Sequence, residues 1–395
     1  MKNILMISYA WPPVGSVGMI RMAKFAKYLI RSGYGITVLT KDAPQGKVVW
    51  DLKEPELDKV KIYRVPASRK NSVKDRINPQ LEIAWFHSVK KRLNTLRKNI
   101  KCDVIISSSP PESAHLIACE LKKILKKPWI ADLRDLWSQD HYRSFGPIRR
   151  KPLEWEEKKI LKQADRIVTV SDEWGKSLGR DYGDRVHVIT NAFDTEWYKD
   201  PVPPKKGKFR ISYLGKLNGN HQNIIPFLND VKHNAQTKNI PKEGLRIDFY
   251  VYGYGKPDIR KMAAEYNLEK IVYEHEPVSL SEAIDIMKSS HLLLLVGWKG
   301  MSSQGWRPQK VYEYIGSGTP IVLINGEENT ELSDLIRSTP SGIVAGPIGP
   351  YKPIRDYYNK HTTEKTGKIE DCESTLAGYK AENTTGKLMS LIEEL

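Results

Sequence analysis

The chain has 395 residues and a formal net charge of +16 at pH 7, with 40% hydrophobic and 28% charged residues. This length predicts two or three domains with substantial hydrophobic cores. No apolar run reaches the roughly 18 residues that a membrane-spanning helix requires, and the sequence shows no signal-peptide cleavage site. The three cysteines form no Cys-x-x-Cys pair, which argues against structural zinc or disulfides and favours a reducing cytosol.

The positive charge is concentrated in the first half of the chain. Residues 1–200 contain 38 Lys and Arg against 24 Asp and Glu, whereas residues 201–395 contain 25 against 23. A basic half favours an anionic partner, either nucleic acid or a membrane surface. Because no nucleic-acid-binding motif accompanies the charge, we expect an anionic membrane surface as a partner and no nucleic acid.

Apolar strands alternate with helical periods along the whole chain, which predicts an α/β protein with parallel, doubly wound sheets. The predicted strands of the first half are Ile4–Ser8, Ile36–Leu39, Lys61–Val65, Val104–Ser107, Trp129–Ala131, Arg166–Val170 and Val186–Ile189. Those of the second half are Phe209–Leu214, Arg246–Tyr252, Lys270–Tyr273, Leu292–Val296 and Ile321–Ile324. A Pro- and Lys-rich stretch at 198–207 predicts a linker between a first domain, 1–197, and a second, 208–378.

The segment Glu82–Lys101 has an amphipathic helical pattern, with apolar residues every three or four positions and basic residues elsewhere. This pattern is typical of a helix at a membrane interface. It also fits an ordinary helix that packs its apolar stripe on the sheet of its own domain, and both interpretations stay open. The basic residues expected to contact a membrane are Lys90, Lys91, Arg92, Arg97 and Lys98.

Loops that follow strands are candidate sites, because ligands bind beyond the carboxyl ends of strands in open parallel sheets. Small residues in such loops let the backbone approach a ligand closely. The loops with polar or small residues contain Gly15, Ser16 and Gly18, then Asp132-Leu-Arg134-Asp135-Leu-Trp137, Gly215-Lys216-Leu217 and Gly253-Tyr-Gly255.

The most informative stretch is Lys310-Val-Tyr-Glu313-Tyr, followed by Ile-Gly-Ser and then Gly318-Thr-Pro320. A short helix here places Lys310 and Glu313 on one face near its start. A helix N-terminus with a nearby Lys favours an anion, and a carboxylate one turn later can accept hydrogen bonds from the vicinal hydroxyls of a ribose. Phosphate next to ribose describes a nucleotide, although a solvent-facing ion pair has the same spacing.

In combination, these features resemble the family 4 retaining glycosyltransferases. The resemblance rests on the Pro-Pro-x-x-Gly loop that ends at Arg21, the Arg-Asp-Leu-Trp of 134–137, the Gly-Lys-Leu turn of 215–217 and the Lys-x-x-Glu-Tyr helix. It covers nearly the whole chain. It implies the GT-B architecture, in which two Rossmann-like doubly wound domains face each other across a cleft and the final helix, 379–395, joins the first domain.

The resemblance also implies roles for individual residues. Lys216 and Lys310 would bind the diphosphate of the donor, Arg134 its sugar or phosphate, and Asp132 or Asp135 would orient the acceptor hydroxyl. An Asp–Arg network that braces the loop is the alternative for this last group. The expected catalytic residues are Asp132, Arg134, Asp135, Lys216 and Lys310, and the expected donor-binding residues are Gly15, Ser16, Gly215, Gly253, Val278, Arg307, Gln309 and Glu313.

Three positions depart from the family pattern. Ser16 replaces the second glycine of the first loop, and the Lys that usually follows the Gly-Arg-Leu turn is missing from Asn218–Asn223. His221, Arg307 or Lys310 would then supply the second cation. Gly305 replaces the first carboxylate of the Glu-x7-Glu motif, which leaves the identity of the donor sugar open.

The implied function is transfer of a hexosyl or N-acetylhexosaminyl group from a nucleotide sugar, with UDP-sugar favoured, to a lipid-linked glycan acceptor in surface polysaccharide biosynthesis. We expect no cofactor and no metal, because the sequence shows no ligand spacing, while Lys, Arg and helix N-termini can neutralise a leaving diphosphate. The expected location is the cytoplasm, peripheral at the inner membrane face. The alternatives to this function are a non-catalytic binding module of GT-B fold and a nucleotide-sugar 2-epimerase. The alternative to a lipid-linked acceptor is a soluble acceptor.

Overall fold

The computed structural model comprises two compact units, Met1–Ala192 with Ala381–Leu395 (unit 1) and Phe193–Lys380 (unit 2). The residues that it describes are 1–14, 17–42, 50–67, 82–139, 147–200, 202, 207–218, 221–236, 244–253, 255–298, 304–339, 342–345, 354–359 and 376–395.

Unit 1 contains a parallel sheet of seven strands in the order β3-β2-β1-β4-β5-β6-β7. The strands are β1 (Asn3–Ser8), β2 (Gly35–Lys41), β3 (Lys61–Val65), β4 (Val104–Ser109), β5 (Trp129–Leu133), β6 (Arg166–Thr169) and β7 (Val186–Val188). The helices are α1 (Val17–Arg31), α2 (Ile83–Lys90), α3 (Leu93–Asn99), α4 (Ser113–Leu125), α5 (Pro147–Leu161) and α6 (Asp172–Tyr182).

Unit 2 contains a parallel sheet of six strands in the order β10-β9-β8-β11-β12-β13. The strands are β8 (Phe209–Lys216), β9 (Leu245–Tyr252), β10 (Val272–His275), β11 (Leu292–Val296), β12 (Ile321–Ile324) and β13 (Gly342–Val344). The helices are α7 (Ile225–Gln236), α8 (Ile259–Glu265), α9 (Leu280–Ser289), α10 (Gln309–Ser317), α11 (Glu331–Arg337) and α12 (354–359). The chain then returns to unit 1 with α13 (Ala381–Glu393), which packs on α1.

Burial on both faces explains why the central strands, such as β1 and β11, are apolar at most positions. On β1, Leu5 and Ile7 pack into one hydrophobic cluster, and Ile4 and Met6 pack into another. Successive side chains of a strand point to opposite faces, so a sheet covered by helices on both sides requires apolar residues at every position. The prediction of an α/β protein with parallel sheets is confirmed.

Each of the twelve predicted strands overlaps an observed strand, but β13 was missed. It has only three residues, all half-buried, and pairs with β12 at the edge of the sheet. A segment so short has too few residues to show an apolar pattern.

Unit 2 begins at Phe193, whereas the sequence predicts that the first domain extends to residue 197. The backbone of Phe193 pairs with Tyr379 and Lys380, and the hydroxyl of Tyr198 donates a hydrogen bond to Glu313. The turn at Thr195–Tyr198 therefore packs with unit 2. Side-chain contacts of this kind leave no signal in local composition.

The segment Glu82–Lys101 forms two short helices, α2 and α3, instead of the single helix that its periodicity predicts. Arg92 leaves the helical conformation with φ −105° and ψ 2°, and its N–H donates to the carbonyl of Val89. The break lets both helices bury their apolar residues in the same cluster, on the sheet of unit 1. The apolar stripe is therefore part of the core, as the alternative interpretation describes, and it does not face a membrane.

Candidate functional site

In each sheet the strand order reverses once, between β1 and β4 in unit 1 and between β8 and β11 in unit 2. Ligands of doubly wound folds bind beyond the carboxyl ends of the strands at such a reversal. In unit 2, Gly215 and Lys216 end β8 at this edge, and α10 follows the loop after β11. The candidate site residues form two clusters, one in unit 2 and one in unit 1.

Lys310 lies in the first turn of α10 and reaches the end of β8. Its Nζ donates hydrogen bonds to the hydroxyl of Tyr213 at 2.7 Å and to the carbonyl of Lys216 at 3.2 Å, and lies 4.1 Å from the centre of the Tyr213 ring. Among the described residues, no carboxylate pairs with this ammonium group. Burial without a counter-charge lowers the pKa of Lys310 to about 7. An anionic ligand would therefore stabilise the charged form of Lys310.

Glu313 lies one turn further along α10, with only 6% of its surface exposed. One carboxylate oxygen accepts a hydrogen bond from the Tyr198 hydroxyl at 2.7 Å, and the other accepts from the side-chain amide of Gln309 at 2.6 Å. A surface ion pair with Lys310 was the alternative for this spacing, but Lys310 and Glu313 have different partners. Gln309, expected to contact the donor, is engaged with this carboxylate.

The remaining donor-binding candidates of unit 2 lie at or near strand ends. Lys216 is exposed at the last position of β8, and a Cβ on Gly253 would lie 3.3 Å from its Cγ. Gly215 lies beside Lys310, since a Cβ there would lie 3.2 Å from the Lys310 Nζ. Val278 is half-buried in the loop between β10 and α9.

Two of the groups considered as a second cation have partners in unit 2. Arg307 forms an ion pair with Glu331 at 3.0 Å, and the imidazole of His221 stacks on Trp298 with ring centres 4.5 Å apart. Lys310 is the group that the structure places beside Lys216. Which of the three contacts a diphosphate stays a prediction.

In unit 1, Asp132 forms a buried ion pair with Arg21, 111 residues away in sequence. Asp132 is 2% exposed, and its carboxylate accepts from the Arg21 guanidinium at 2.9 Å and from the Ser108 hydroxyl at 2.7 Å. Arg21 also donates to the carbonyls of Ile189 and Thr190. Asp132 therefore braces the ends of several strands, as the alternative interpretation describes, and its role at an acceptor stays a prediction.

Arg134 continues this network. Its Nε donates to the Ser108 hydroxyl at 2.9 Å, and its Nη2 donates to the carbonyl of Pro110 at 2.9 Å. Burial lowers the pKa of Arg134, and the charge of Asp135 opposes that shift. A Cβ on Gly18 would lie 2.0 Å from the guanidinium, so glycine at this position of α1 makes room for Arg134.

Gly15 and Ser16 lie outside the described residues. Within the described part of the chain, no group of three His, Cys, Asp or Glu side chains is arranged to hold a metal ion. Over the same residues, no helix has both the length and the hydrophobicity to cross a membrane.

Three residues in these clusters were not expected to be functional: Arg21, Tyr198 and Tyr213. Arg21 was part of the resemblance, and the structure buries it together with two other basic residues of α1, Lys24 and Lys27. Tyr213 lies in an apolar strand, where a tyrosine normally fills the core, and Tyr198 lies in a short turn. Neither position carries a sequence signal for its contact with α10.

Comparison with known proteins agrees with the predicted fold and with the family resemblance of the first half of the chain. Residues 20–197 match the model of Glycosyltransferase Family 4. The chain is a glycosyltransferase that carries a family 4 domain. The matched region contains Arg21, Asp132 and Arg134. No curated protein sequence matches the chain.

Solved structures similar to this glycosyltransferase share its fold over the whole chain. HepE from Anabaena in complex with UDP and glucose is 13% identical, with a TM-score of 0.69 and 100% of both chains covered. Sucrose-phosphate synthase from Thermosynechococcus elongatus is 12% identical, with a TM-score of 0.68 and 100% of this chain and 99% of that chain covered. The apo form of WaaB, a lipopolysaccharide outer core galactosyltransferase, is 12% identical, with a TM-score of 0.61 and full coverage of both chains. The predicted GT-B fold is confirmed.

Proposed function

We propose that this glycosyltransferase takes its sugar from a nucleoside diphosphate sugar, with a UDP-sugar favoured, and binds it at the carboxyl edge of the unit 2 sheet. The observation that carries this proposal is the pairing on α10 of an ammonium group without a described carboxylate partner and a positioned carboxylate one turn away. The first suits a diphosphate and the second the hydroxyls of a ribose. HepE, which has the same fold, is solved with UDP-glucose and with UDP.

The proposed reaction retains the configuration at the sugar. The bond between the anomeric carbon and the β-phosphate oxygen breaks, the acceptor oxygen bonds to the same face, and the acceptor proton passes to the leaving phosphate. Negative charge then grows on the diphosphate, where Lys216 and Lys310 would stabilise it electrostatically. We propose that these cations do so without a metal ion, so that turnover should survive treatment with EDTA.

Calorimetric titration with UDP and GDP, together with turnover assays on a panel of UDP-, GDP- and ADP-sugars, tests the donor. We expect UDP binding and either transfer or slow hydrolysis of a UDP-sugar. Glu313→Gln should weaken UDP binding roughly tenfold, because an amide is a poorer acceptor than a carboxylate. Glu265→Gln, an exposed site on α8, is the matched control and should leave the affinity unchanged.

Each other outcome of this assay contradicts a defined part of the proposal. Inversion at C2 of the donor sugar would indicate an epimerase, and tight nucleotide binding without any turnover would indicate a binding module. Wild-type affinity in Glu313→Gln would remove the ribose assignment.

We further propose that the acceptor is a lipid-linked glycan and that unit 1 docks on an anionic, cytoplasmic membrane face. Exposed basic residues on α2 and α3 support this, and each one near such a surface contributes about 1 kcal/mol. On α5, Trp155 is 65% exposed, beside the exposed Arg150 and Lys151, and aromatic rings of this type favour the membrane–water interface. WaaB, of the same fold, is a lipopolysaccharide galactosyltransferase.

Co-sedimentation with vesicles tests the docking surface. Binding should rise with the fraction of anionic lipid and fall at high salt. It should drop when Lys90, Lys91, Arg92, Arg97 and Lys98 are all changed to Gln. The matched control changes five exposed basic residues of unit 2 to Gln: Lys208, Arg260, Lys261, Lys270 and Arg337. If the wild-type protein ignores anionic vesicles at low salt, a soluble acceptor becomes the better proposal.

A further inference from the structure

Glu313 accepts a hydrogen bond from a tyrosine that is distant in the sequence. The hydroxyl of Tyr198 donates to one carboxylate oxygen at 2.7 Å, across 115 residues of chain. Burial and the charge of Glu313 raise the pKa of Tyr198 well above its usual value, so the hydroxyl stays protonated and remains a donor. A nearly buried carboxylate needs such donors, because an unpaired buried charge is costly.

The segments that enter and leave unit 2 both pack against α10. Phe193 and Tyr198 lie on the entering segment, while Tyr379, on the leaving segment, places its ring 5.6 Å from that of Tyr312. Gly316 of α10 is the point of closest approach. A Cβ there would lie 2.7 Å from the Cβ of Phe193 and 2.8 Å from Cε2 of Tyr198. Glycine at 316 therefore lets the Tyr198 ring lie against the helix, with its hydroxyl at Glu313.

We propose that Tyr198 is a positioning residue that fixes the Glu313 carboxylate for the vicinal hydroxyls of a ribose, and that Gly316 provides the space for it. This inference rests on the nucleotide site proposed above. A carboxylate offers about four lone-pair positions, so the hydrogen bonds from Tyr198 on one oxygen and from Gln309 on the other are compatible with further acceptance from the hydroxyls of a ribose. Without Tyr198, Glu313 would have more rotamers to lose on binding, and affinity would fall.

The decisive experiment compares UDP with 2′,3′-dideoxy-UDP by calorimetric titration. Tyr198→Phe removes only the hydroxyl and should weaken UDP binding about fivefold to tenfold, while binding of the dideoxy nucleotide stays unchanged. A tyrosine that merely supports the fold would weaken both ligands equally. Tyr182→Phe is the matched control, because Tyr182 also contacts a buried carboxylate, that of Glu157, but in unit 1.

A double-mutant cycle tests whether Tyr198 acts through Glu313. In the Glu313→Gln background, Tyr198→Phe should cost less than twofold, since the carboxylate that it positions is gone. Equal losses in both backgrounds would overturn the inference.

Gly316→Ala provides a second, independent route to the same effect. The added methyl group should displace Tyr198 and lower UDP affinity as Tyr198→Phe does, with little further loss in the double variant. Gly386→Ala, at a position of α13 with open space around it, is the matched control. If wild-type protein binds UDP and Glu313→Gln weakens it, but Tyr198→Phe has no effect, only this inference fails. If wild-type protein binds no nucleotide, the proposed donor site fails with it.

Discussion

Lys310 should reduce the stability of the protein while it serves the donor site. Its ammonium group is half-buried against the Tyr213 ring, and no carboxylate in the described part of the chain offsets its charge. Burial lowers its pKa from 10.5 to about 7, a shift that corresponds to an upper limit of roughly 5 kcal/mol. Since partial hydration and the cation–π contact offset some of this cost, we expect Lys310→Met to gain about 1–3 kcal/mol at pH 7.

The stability that Lys310→Met gains over the wild type should depend on pH in a defined direction. The unfolded chain keeps a proton on Lys310 up to about pH 10.5, whereas the folded protein keeps it only below about pH 7. Between these values the unfolded state binds more protons, so the stability of the wild-type protein rises with pH. The advantage of Lys310→Met should therefore be complete below pH 7 and shrink towards pH 10.5.

Chemical denaturation of wild-type protein and Lys310→Met at pH 7, 8, 9 and 10 measures this difference. Lys261→Met, at an exposed lysine of α8, is the control and should show no such trend. Titration with UDP at pH 8 adds a second readout, because a bound diphosphate should restore the charge of Lys310 and take up close to one proton. A variant that is less stable than wild type at pH 7, by an amount that is constant up to pH 10, would refute the reasoning.

Three further variants test unit 1. Gly18→Ala places a Cβ against the guanidinium of Arg134, and should lower turnover at least tenfold in kinetic assays while UDP affinity measured by calorimetry stays unchanged. Burial lowers the pKa of His115 to about 3, so the wild-type protein should lose stability as the pH falls below 6.5. His115→Gln should lose less stability than the wild type between pH 7 and pH 4, as measured by chemical denaturation at both values. Asp132→Asn leaves the buried charge of Arg21 without its counter-ion and should cost about 3–5 kcal/mol in urea denaturation.

The fold was largely predictable from the sequence because the central strands of both sheets are buried on both faces. Runs such as Leu292–Val296 are apolar at every position, and the intervening segments have helical periods. Such runs identify parallel strands with little dependence on the rest of the chain. Lys310 and Glu313 were predictable for a related reason, since residues three apart share a helix face in any context.

What the tertiary structure alone decided is which surfaces and side chains meet. The apolar stripe of 83–100 predicts a buried face, but periodicity does not say whether a membrane or the unit's own sheet covers it, and the sheet does. Likewise, the sequence shows that Asp132 and Glu313 are charged, but not that Arg21 and Tyr198 hold them. Those partners lie more than 100 residues away, so they come together only once the strands have set the positions of the loops.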